Sequence, residues 1–319
     1  MHMILTANNM KCAEVAVTAV ADVKEKNELI EFALKDGYNV DVSKANFYKD
    51  ADEMLEKEPL DAVIIGTRCN LHTKMAIKVL KKNLPLFLEK PVSIDMKSLL
   101  ELKAAGEKSK SPVVVSFPLR VSPLVTEAKR LIDLGEIGEI QYAQGWTKVT
   151  YGGCYYHEWY RDESITGGLF LQKSTHDFDY INYLVGKKPV EICAMKSKQI
   201  MKGDKPANLK CIDCPDNFKC PEGTVRRKMV FGFADENAKC CYAVDTGNED
   251  SGSALLRYED GMHLTYTQNF FTRNNASAGR GVYLAGTKGT LTFDWMTNKI
   301  IVAKTYENVV NEITATGEG

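Results

Sequence analysis

Several features that define other protein classes are absent from the 319-residue sequence. No apolar run approaches the about 18 residues needed to cross a bilayer, and residues 1–6 lack the charged start and cleavage site of a signal peptide. The sequence contains no Gly-x-Gly-x-x-Gly loop and no internal repeat. The formal net charge is only −1. We therefore expect a globular protein that has neither a membrane nor a nucleic acid as its partner.

The nine cysteines are odd in number and mostly irregular in spacing. Without a signal peptide, this pattern favours free thiols in a reducing cytoplasm. Cys211-x-x-Cys214, followed by Cys220, is part of a zinc motif, but a structural zinc site needs four ligands. The fourth would have to come from elsewhere, namely Cys193, Cys240, Cys241 or a histidine. We therefore expect reduced thiols or one disulfide in this region, and no metal ion.

The first half of the chain alternates between strand patterns and helix patterns. The strands are expected over residues 15–21, 61–66, 84–88 and 112–117, and the helices over 24–36, 51–57, 72–82 and 96–109. The run 61–66 has no polar alternation, which is typical of a strand buried on both faces. This alternation predicts βαβ units and a doubly wound, parallel α/β sheet over residues 1–118.

After about residue 119 the pattern changes to strands and turns. Two helices are expected over 123–134 and 179–185, together with strands over 140–148, 190–196, 229–233, 254–258, 262–270, 282–285 and 290–295. Hairpin turns are indicated at 259–261 and 286–289. Residues 202–223 form a long polar stretch without a pattern. The second half, 119–319, is therefore predicted to be an α+β domain with a mostly antiparallel sheet and helices on one face.

Polar residues follow two of the predicted strands in the first half. Asp22 could accept hydrogen bonds from the ribose hydroxyls of a dinucleotide, or it could cap the helix that begins at residue 24. Thr67, Asn70 and His72 follow the strand 61–66 and could line a nicotinamide and its ribose, because ligands of open α/β sheets bind at the carboxyl ends of strands. For these three residues alone, a capping loop is the favoured interpretation.

The motif Glu89-Lys90-Pro91 directly follows another apolar strand. A charged pair in this position indicates a cleft, with a surface ion pair as the alternative. Pro91 disfavours a helical conformation at Lys90. Lys90 could therefore donate to a substrate hydroxyl oxygen and stabilise the developing alkoxide. Glu89 could orient Lys90 or contact a cofactor.

The second motif follows Gly167-Gly168 and contains Gln172, Lys173 and His176. Gln172 and His176 are four residues apart, so on a helical turn they would share one face. A histidine suits the removal of a hydroxyl proton as hydride leaves. Asp177 could orient His176 or cap the following helix. A lysine and a histidine of this kind together point to oxidoreduction of a sugar or a polyol.

These residues, with further motifs along nearly the whole chain, resemble the glucose–fructose oxidoreductase, inositol dehydrogenase and MocA family (Gfo/Idh/MocA). In the first half the resemblance rests on residues 17–22, on residues 61–65 with Asn70 and His72, and on Glu89-Lys90-Pro91. In the second half it rests on residues 134–138, Trp159-Tyr160-Arg161, Gly167-Gly168, residues 176–179 and residues 286–290.

The resemblance implies an N-terminal Rossmann domain and a C-terminal domain with a large open sheet, through which members often form homodimers or homotetramers. It implies hydride transfer between NAD(P) and a sugar, polyol or related carbohydrate. Lys90 matches the substrate-binding lysine of the family, and His176 matches its catalytic histidine. Asp22 matches the ribose-binding acid and favours NAD over NADP. The expected cofactor contacts are thus Asp22, Thr67, Asn70, His72, Glu89 and Lys90, and the expected substrate contacts are Arg161, Gln172, Lys173 and Asp177.

The sequence departs from the family pattern in two places. The family opens with a strand and a glycine-rich loop ahead of the Asp22 strand, whereas this chain starts at residues 1–3 inside the helix between them. We therefore expect a truncated Rossmann domain. Members also commonly carry an acid at the position of Gln172. Glutamine can bind substrate but cannot act as a base, so the base role is expected to fall on His176.

Three functions are compatible with these residues. The leading one is an NAD-dependent sugar or polyol dehydrogenase in which Lys90 polarises the hydroxyl, His176 takes its proton and Arg161 positions the substrate. The second is an enzyme that keeps NAD bound in a redox cycle and cleaves glycosidic bonds, which Gln172 and the cysteine-containing stretch 202–223 leave open. The third is a non-catalytic sugar- or nucleotide-binding protein, which the missing glycine-rich loop favours.

Overall fold

The computed structural model describes residues 15–28, 42, 44–150, 153–232, 234–272, 275–307 and 310–315. The chain forms two compact units. Unit 1 contains the residues up to Thr67, then Leu71–Val92 and Met96–Val115, and unit 2 contains Arg68–Asn70, Ser93–Asp95 and the chain from Ser116 onward. The start of the chain and most of the helix expected over 24–36 lie outside the described residues, and so does the stretch on which the expected truncation falls.

Unit 1 has the predicted parallel α/β structure. One parallel pair consists of β1 (Ala19–Ala21) and β2 (Asn46–Tyr48), and a three-stranded parallel sheet consists of β3 (Val63–Ile65), β4 (Leu86–Leu88) and β5 (Val113–Val115). The helices described in this unit are α1 (Ala51–Lys57), α2 (His72–Lys81) and α3 (Met96–Lys108). Strand β2 has no counterpart among the predicted strands.

One face of the β3–β4–β5 sheet is covered by helices. Ala76, Val79 and Leu80 of α2 are buried against Ile65, Leu86 and Leu88 of the sheet. The expectation that the strand within 61–66 is buried on both faces is wrong, because Ile64 is 48% exposed on the opposite face. A short run of apolar residues cannot distinguish burial on one face from burial on both, since every residue in it is apolar in either case.

Unit 2 is built on an eight-stranded sheet. Its strands lie in the order β13-β12-β11-β10-β6-β9-β8-β7, with β6 and β9 parallel and all other neighbours antiparallel. The strands are β6 (Ile140–Thr150), β7 (Pro189–Ser197), β8 (Ser251–Tyr258), β9 (His263–Thr272), β10 (Gly279–Gly286), β11 (Gly289–Asp294), β12 (Lys299–Lys304) and β13 (Val310–Thr314). The predicted mostly antiparallel sheet is confirmed, and β12 and β13 extend it beyond the predicted strands.

Six α-helices accompany this sheet in the described part of unit 2. They are α4 (Pro123–Asp133), α5 (Gly153–His157), α6 (Glu163–Thr166), α7 (Leu169–Gln172), α8 (Thr175–Val185) and α9 (Thr224–Phe231). The strand predicted over 229–233 is wrong: residues 229–231 end α9, and Gly232 follows in a left-handed conformation (φ 79°). The helix predicted from residue 179 starts earlier, at Thr175, so His176 lies in its first turn.

The strand register separates a buried face of the sheet from an open one. One continuous row across the sheet runs Ala254, Tyr266, Gly145, Val282, Phe293, Ile300, and all of these residues are buried. Helix α8 packs on this face: a Cβ added at Gly145 would lie 2.5 Å from Ile181 Cδ1. The neighbouring row, one residue further along each strand, lies on the open face. It runs Cys193, Leu255, Thr265, Gln144, Tyr283, Thr292, Ile301, Glu312.

Within the described part of the chain, no helix is both long enough and apolar enough to cross a membrane.

Two adjacent isoleucines on β12 test this division of the sheet. Ile300 is fully buried and Ile301 is 41% exposed. Because truncation of a buried isoleucine loses apolar contacts and leaves a cavity, we expect Ile300→Ala to lower the free energy of unfolding by about 2–5 kcal/mol. Ile301→Ala serves as the matched control and should cost at most about 1 kcal/mol. Urea unfolding measures both, and equal losses would contradict the one-sided burial.

Candidate active site

In unit 1 the expected cofactor residues lie at the carboxyl ends of β3 and β4. The Glu89 N–H donates to the Ile65 carbonyl (2.9 Å), so pairing continues one residue beyond β4. Lys90 follows directly and is half-buried, and its peptide bond to Pro91 is cis. Thr67 lies exposed after β3. Thr67, Glu89 and Lys90 occupy the edge at which parallel sheets bind ligands. Asn70 is also exposed, but it belongs to unit 2.

His72 is buried and contacts two backbone carbonyls. Its Nδ1 lies 2.7 Å from the Pro91 carbonyl oxygen, and its Nε2 lies 2.9 Å from the Thr67 carbonyl oxygen. The ring is 1% exposed. His72 therefore holds the loop after β3 to the loop after β4, in keeping with the loop role that the sequence favoured for it. Its neighbour Thr73 acts in the same way, donating from Oγ1 to the Val92 carbonyl (2.9 Å).

Asp22 directly follows β1, the position at which the sequence predicted a ribose-binding acid. Its backbone N–H donates to the Tyr48 carbonyl (3.1 Å), which fixes it beside β2. Its carboxylate Oδ1 accepts from the Lys24 N–H (2.8 Å). This contact closes a short turn over residues 22–24, ahead of the helical residues 26–28. It therefore does not cap a helix beginning at residue 24, which the sequence offered as the alternative to ribose binding.

In unit 2, His176 lies in the first turn of α8, shortly after two glycines with positive φ angles. Gly167 and Gly168 have φ values of +77° and +89°, and a Cβ on Gly168 would lie 2.9 Å from Glu249 Oε2. Only glycine adopts both conformations at low cost. Helix α7 ends at Gln172 and α8 starts at Thr175. Gln172 and His176 thus belong to different helices, so they do not share the helical face that was predicted for them.

The His176 ring is half-buried beside an aromatic neighbour. It lies edge-on to Phe117, with ring centroids 6.1 Å apart and planes at 86°. Lys173 lies in the turn before α8, and its ammonium group is 5.8 Å from the centre of the Tyr155 ring. Gln172 is 6% exposed. Among the predicted site residues between 161 and 177, His176 and Lys173 are those with at least partly accessible side chains.

Asp177 lies next to His176 but is wholly buried. Its Oδ2 accepts from Thr147 Oγ1 (2.7 Å) and from the Tyr266 hydroxyl (2.6 Å), and its Oδ1 accepts from Arg280 Nε (2.7 Å). Burial, followed by the charge of Asp177, raises the pKa of Tyr266, which keeps its hydroxyl a neutral donor. Asp177 therefore anchors α8 to the sheet, in contrast to the substrate contact expected from the sequence.

Arg161 also differs from its expected role as a substrate contact. Its guanidinium donates to both carboxylate oxygens of Asp245 (2.9 Å each), to Thr246 Oγ1 (2.7 Å) and to the Cys240 carbonyl (3.1 Å). It is 6% exposed. The Arg161 guanidinium lowers the pKa of Asp245 below its usual range. Arg161 thus fixes the 3-10 helix Trp159–Arg161 against the segment around residues 240–246.

An aromatic group lies at this 3-10 helix, where the sequence indicated Trp159 and Tyr160 only as part of a family motif and without a role of their own. The Trp159 and Tyr160 rings are stacked with centroids 3.7 Å apart, Tyr155 meets Tyr160 edge-on, and the Arg68 guanidinium lies 3.6 Å from the centre of a Trp159 ring. Asn248 holds the backbone here, because its Nδ2 donates to the Tyr155 and Tyr160 carbonyls (2.8 and 2.7 Å). In the sequence, the polar run Asn248-Glu249-Asp250 directly before a strand was the available signal for this contact. In the structure all three residues are buried.

Family comparisons agree with this architecture along nearly the whole chain. Residues 3–117 match the family described as "Oxidoreductase family, NAD-binding Rossmann fold", and residues 125–292 match "GFO/IDH/MocA C-terminal domain". The chain belongs to the Gfo/Idh/MocA oxidoreductase family. The resemblance in the sequence and the predicted fold class are thereby confirmed.

Three relatives show how far the similarity extends. The chain is 34% identical to the oxidoreductase YteT of Bacillus subtilis over 77% of its own length and 63% of that protein. It is 40% identical to scyllo-inositol 2-dehydrogenase (NAD(+)) of the same organism over 43% of its length and 39% of that protein. It is 28% identical to myo-inositol 2-dehydrogenase of Thermotoga maritima over 89% of its length and 88% of that protein. The chain thus spans less than two thirds of the first two relatives.

A solved structure supports the fold independently. Levoglucosan dehydrogenase, in complex with NADH and levoglucosan, superposes with a TM-score of 0.73 at 18% identity, covering 98% of this chain and 76% of that one. At this level of identity the likeness concerns the fold alone.

Asp177 offers a test of the anchor beneath His176. Asp177→Asn removes the charge that faces Arg280, so we expect a loss of about 3–5 kcal/mol in the free energy of unfolding, because the partner charge is left largely buried. Asp133→Asn breaks an exposed ion pair with Lys129 and is the control, with an expected loss below about 1 kcal/mol. Similar small losses in the two variants, measured in urea, would contradict the anchoring role.

The pair formed by Arg161 and Asp245 predicts a pH effect. Since the pKa of Asp245 is lower in the folded chain, the pair stabilises above the ordinary carboxyl pKa of about 4 and loses this contribution as pH falls through the lowered value. In Arg161→Gln we therefore expect a smaller drop in unfolding free energy between neutral pH and about pH 3 than in the unmodified chain. Lys129→Gln, which removes an exposed ion pair, is the control. An unchanged acid dependence in Arg161→Gln would refute the assignment.

Proposed function

We propose that this protein is an NAD-dependent oxidoreductase that transfers hydride between the nicotinamide and a hydroxyl-bearing carbon of a sugar or polyol. Family membership and the inositol dehydrogenases among its relatives support the reaction class. The observation that carries the proposal is Lys90, which is half-buried at the carboxyl end of a parallel strand within the matched Rossmann region.

The residues of unit 1 fit a dinucleotide at its nicotinamide end. Thr67, Glu89 and Lys90 supply hydrogen-bonding side chains at one sheet edge, and His72 keeps the two loops together. Asp22 would hold the adenosine ribose, and a carboxylate there favours NAD over a 2′-phosphorylated cofactor. When bound, the cofactor supplies the hydride acceptor. We assign the stabilisation of the alkoxide and the acceptance of the proton to side chains of the protein.

In this mechanism Lys90 and His176 have separate roles. The Lys90 ammonium donates to the hydroxyl oxygen and stabilises the alkoxide that develops as hydride leaves. The His176 imidazole accepts the hydroxyl proton. Gln172 cannot act as a base, which leaves this role to His176. Asp177 and Arg280 contribute indirectly by fixing the helix turn that carries His176.

The aromatic group of unit 2 suits a carbohydrate ligand. Tyr155, Trp159 and Tyr160 present half-buried rings, and Lys173 and Arg68 add donors beside them. Binding sites for small molecules combine such aromatic surface with a few polar groups that fix orientation. We therefore assign these rings to the C–H faces of the sugar or polyol, and Lys173 to its hydroxyl groups.

The proposal predicts the behaviour of two lysine variants. Lys90→Met removes the donor to the developing alkoxide, so we expect kcat to fall by at least about 100-fold, with NAD still bound. Lys97→Met alters an exposed lysine of α3 and is the matched control. The assay follows NADH formation with myo-inositol and a panel of other polyols and aldoses, and calorimetry measures NAD binding in each variant.

The outcomes separate the three functions. Full turnover in Lys90→Met would exclude the mechanism. Product formation from a glycoside without accumulation of NADH would favour a redox cycle that returns the cofactor to NAD at each turnover. No heat of NAD binding in the unmodified chain would leave only a non-catalytic role.

We further propose that the protein forms a homodimer or homotetramer through the open face of the eight-stranded sheet. The continuous row that includes Leu255, Tyr283 and Ile301 has no covering helix in the described part of the chain. Apolar side chains on a broad flat face favour association with a second copy. Leu255 is 50% exposed and lies within this face.

Light scattering after size-exclusion chromatography tests this association. Leu255→Asp places a charge in the face, and we expect it to shift the chain toward the monomer mass. Phe218→Asp changes an 81% exposed aromatic outside the sheet and should leave the mass unchanged. A monomer in the unmodified chain would refute the proposal.

The seven described cysteines are free thiols, which fits a reducing compartment. We therefore propose a cytoplasmic location. Fractionation of the host cells would test it, and recovery of the protein outside the cytoplasm would contradict it.

A further inference from the structure

The segment between β7 and β8, residues 198–250, has little regular structure. Its described residues form the 3-10 helix Cys211–Asp213, helix α9 and two isolated β-bridges. A buried apolar cluster within it holds three small residues, Cys211, Cys240 and Ala243. Segments with so small a core commonly depend on a disulfide or a metal ion to hold one conformation. Because the cysteines that the structure describes are free thiols, a metal ion is the candidate that remains.

Three buried side chains that suit a metal ion converge at the end of α5. They belong to His157, Glu222 and Cys241, and their ligand atoms, a ring nitrogen, a carboxylate oxygen and a sulfur, all lie within 4.8 Å of one another. Each residue is at most 2% exposed. A tetrahedral ion with bonds of about 2.0–2.3 Å holds its ligand atoms about 3.3–3.8 Å apart. Small movements of these side chains are therefore enough to surround one ion.

The three residues come from separate parts of unit 2. His157 is the last residue of α5, Glu222 lies shortly before α9, and Cys241 lies ten residues before β8. The adjacent cysteines 240 and 241 pack in different clusters: Cys240 packs with Cys211, whereas Cys241 packs with Tyr156 of α5. This alternation along the backbone places Cys241, rather than its neighbour, beside His157.

The backbone of Lys239 fixes the imidazole of His157. The Lys239 N–H donates to the His157 carbonyl (2.8 Å), and the Lys239 carbonyl oxygen lies 2.6 Å from the ring atom Nδ1. Because a carbonyl oxygen can only accept, Nδ1 carries a hydrogen. The other ring nitrogen, Nε2, lies 3.8 Å from Glu222 Oε2. Histidines that bind a metal usually donate from the second ring nitrogen to a carbonyl or a carboxylate, so this contact presents Nε2 to an ion.

Close packing before α9 holds Glu222. A Cβ on Gly223 would clash with the Asn217 carbonyl oxygen, so the two backbones pack directly against each other. Asn217 Oδ1 accepts from the Thr224 N–H (2.8 Å) and from the Thr224 hydroxyl (2.9 Å). These contacts fix the start of α9 directly after Glu222. The backbone that carries the carboxylate is thus already in place, which lowers the entropic cost of binding an ion.

We propose that His157, Glu222 and Cys241 bind a zinc ion that fastens the segment 198–250 to α5. Imidazole nitrogen, carboxylate oxygen and thiolate sulfur are the three kinds of ligand that zinc uses in proteins. Magnesium and calcium prefer oxygen ligands alone, so this mixed set favours zinc over them. On binding, the Cys241 thiol loses its proton to solvent. We assign the fourth ligand position to a water molecule, and the metal ion replaces the metal-free segment expected from the sequence.

The charges of the site suit one zinc ion. A neutral imidazole, a carboxylate and a thiolate together give a complex with Zn²⁺ a net charge of zero. A neutral complex is tolerated in a buried site far better than an isolated charge. Arg227 of α9 is also buried, and its positive charge acts on His157. A neutral zinc complex does not repel this guanidinium, whereas a protonated His157 would.

The competing arrangement is an ion pair between protonated His157 and Glu222, with Cys241 as a neutral thiol. In that pair Nε2 would donate to Oε2, but the two atoms are 3.8 Å apart. A hydrogen bond between nitrogen and oxygen is about 2.7–3.2 Å long. Two ligands of one zinc ion stand further apart than that, because the ion lies between them. The separation therefore favours the metal, which also gives the Cys241 sulfur a partner.

The zinc ion also holds the helix that carries part of the aromatic group. Tyr155 and Tyr156 directly precede His157 in α5. The Tyr156 hydroxyl donates to the Glu249 carbonyl (3.0 Å), and its ring packs in the same buried cluster as Cys241. A bond from His157 to the metal thus fixes the end of this short helix. Zinc binding does not require the proposed reaction, so the two can fail separately.

Metal analysis by mass spectrometry tests the site on the full chain, purified without added metal or chelator. We expect about one zinc ion per chain. Glu222→Gln and Cys241→Ser should each lower the zinc content at least about tenfold, because even loss of a group that only orients a metal ligand weakens binding by about 10–100-fold. Cys193→Ser, which changes an exposed thiol on β7, is the matched control and should retain zinc in full. Cys214→Ser should retain it as well.

The other outcomes overturn the proposal. A chain without zinc leaves the ion pair of His157 and Glu222, and a different metal in its place refutes the assignment to zinc. Loss of zinc in Cys214→Ser with full retention in Cys241→Ser moves the metal to other thiols. If the variants do not fold, X-ray absorption of zinc in the unmodified chain decides. One sulfur and three nitrogen or oxygen ligands support the site, and two or more sulfurs refute it.

Discussion

The placement of His176 depends on one buried charge, the carboxylate of Asp177. Three donors from three different strands, Thr147 on β6, Tyr266 on β9 and Arg280 on β10, converge on this carboxylate. The contact fixes the first turn of α8 to the centre of the sheet in both position and rotation. A charge this deep is tolerated because each of its oxygens is paired. The imidazole one residue earlier therefore has a defined position at the end of a rigid helix.

The eight-stranded sheet explains why this anchor is available. Helix α8 covers the row that contains Tyr266, Val282 and Phe293, and the alternation of strands directs the next row to the open face. Thr147, Tyr266 and Arg280 belong to three adjacent strands in the middle of this sheet. Because the same pleat that builds the core also exposes the other face, the anchor of His176 and the open row of side chains lie on opposite sides of one sheet.

The sequence predicted the elements better than the roles of polar residues. Lys90 was predicted correctly to follow a strand, because an apolar run ending in a charged pair has few other interpretations. Residues 229–233 were predicted as a strand, but residues 229–231 end a helix. The prediction was wrong because three apolar residues are compatible with the periodicity of a helix and with that of a strand. Arg161 and Asp177 were expected to face substrate, yet both are buried. A motif shows that a polar residue is needed, but not whether its partner is a ligand or another residue.

The partners that decide these roles are distant in sequence. Arg161 is satisfied by Asp245 and Cys240, and Asp177 is satisfied by Arg280, in each case from a segment about 80 residues or more further along the chain. No local pattern encodes such a pairing, because it depends on which strands become neighbours. The buried group of His157, Glu222 and Cys241 follows the same logic, because no local motif places these three residues together. Long-range backbone pairing therefore determines which polar side chains remain available for chemistry. It buries Arg161 and Asp177, whereas Lys173 and His176 stay half-buried and partly accessible.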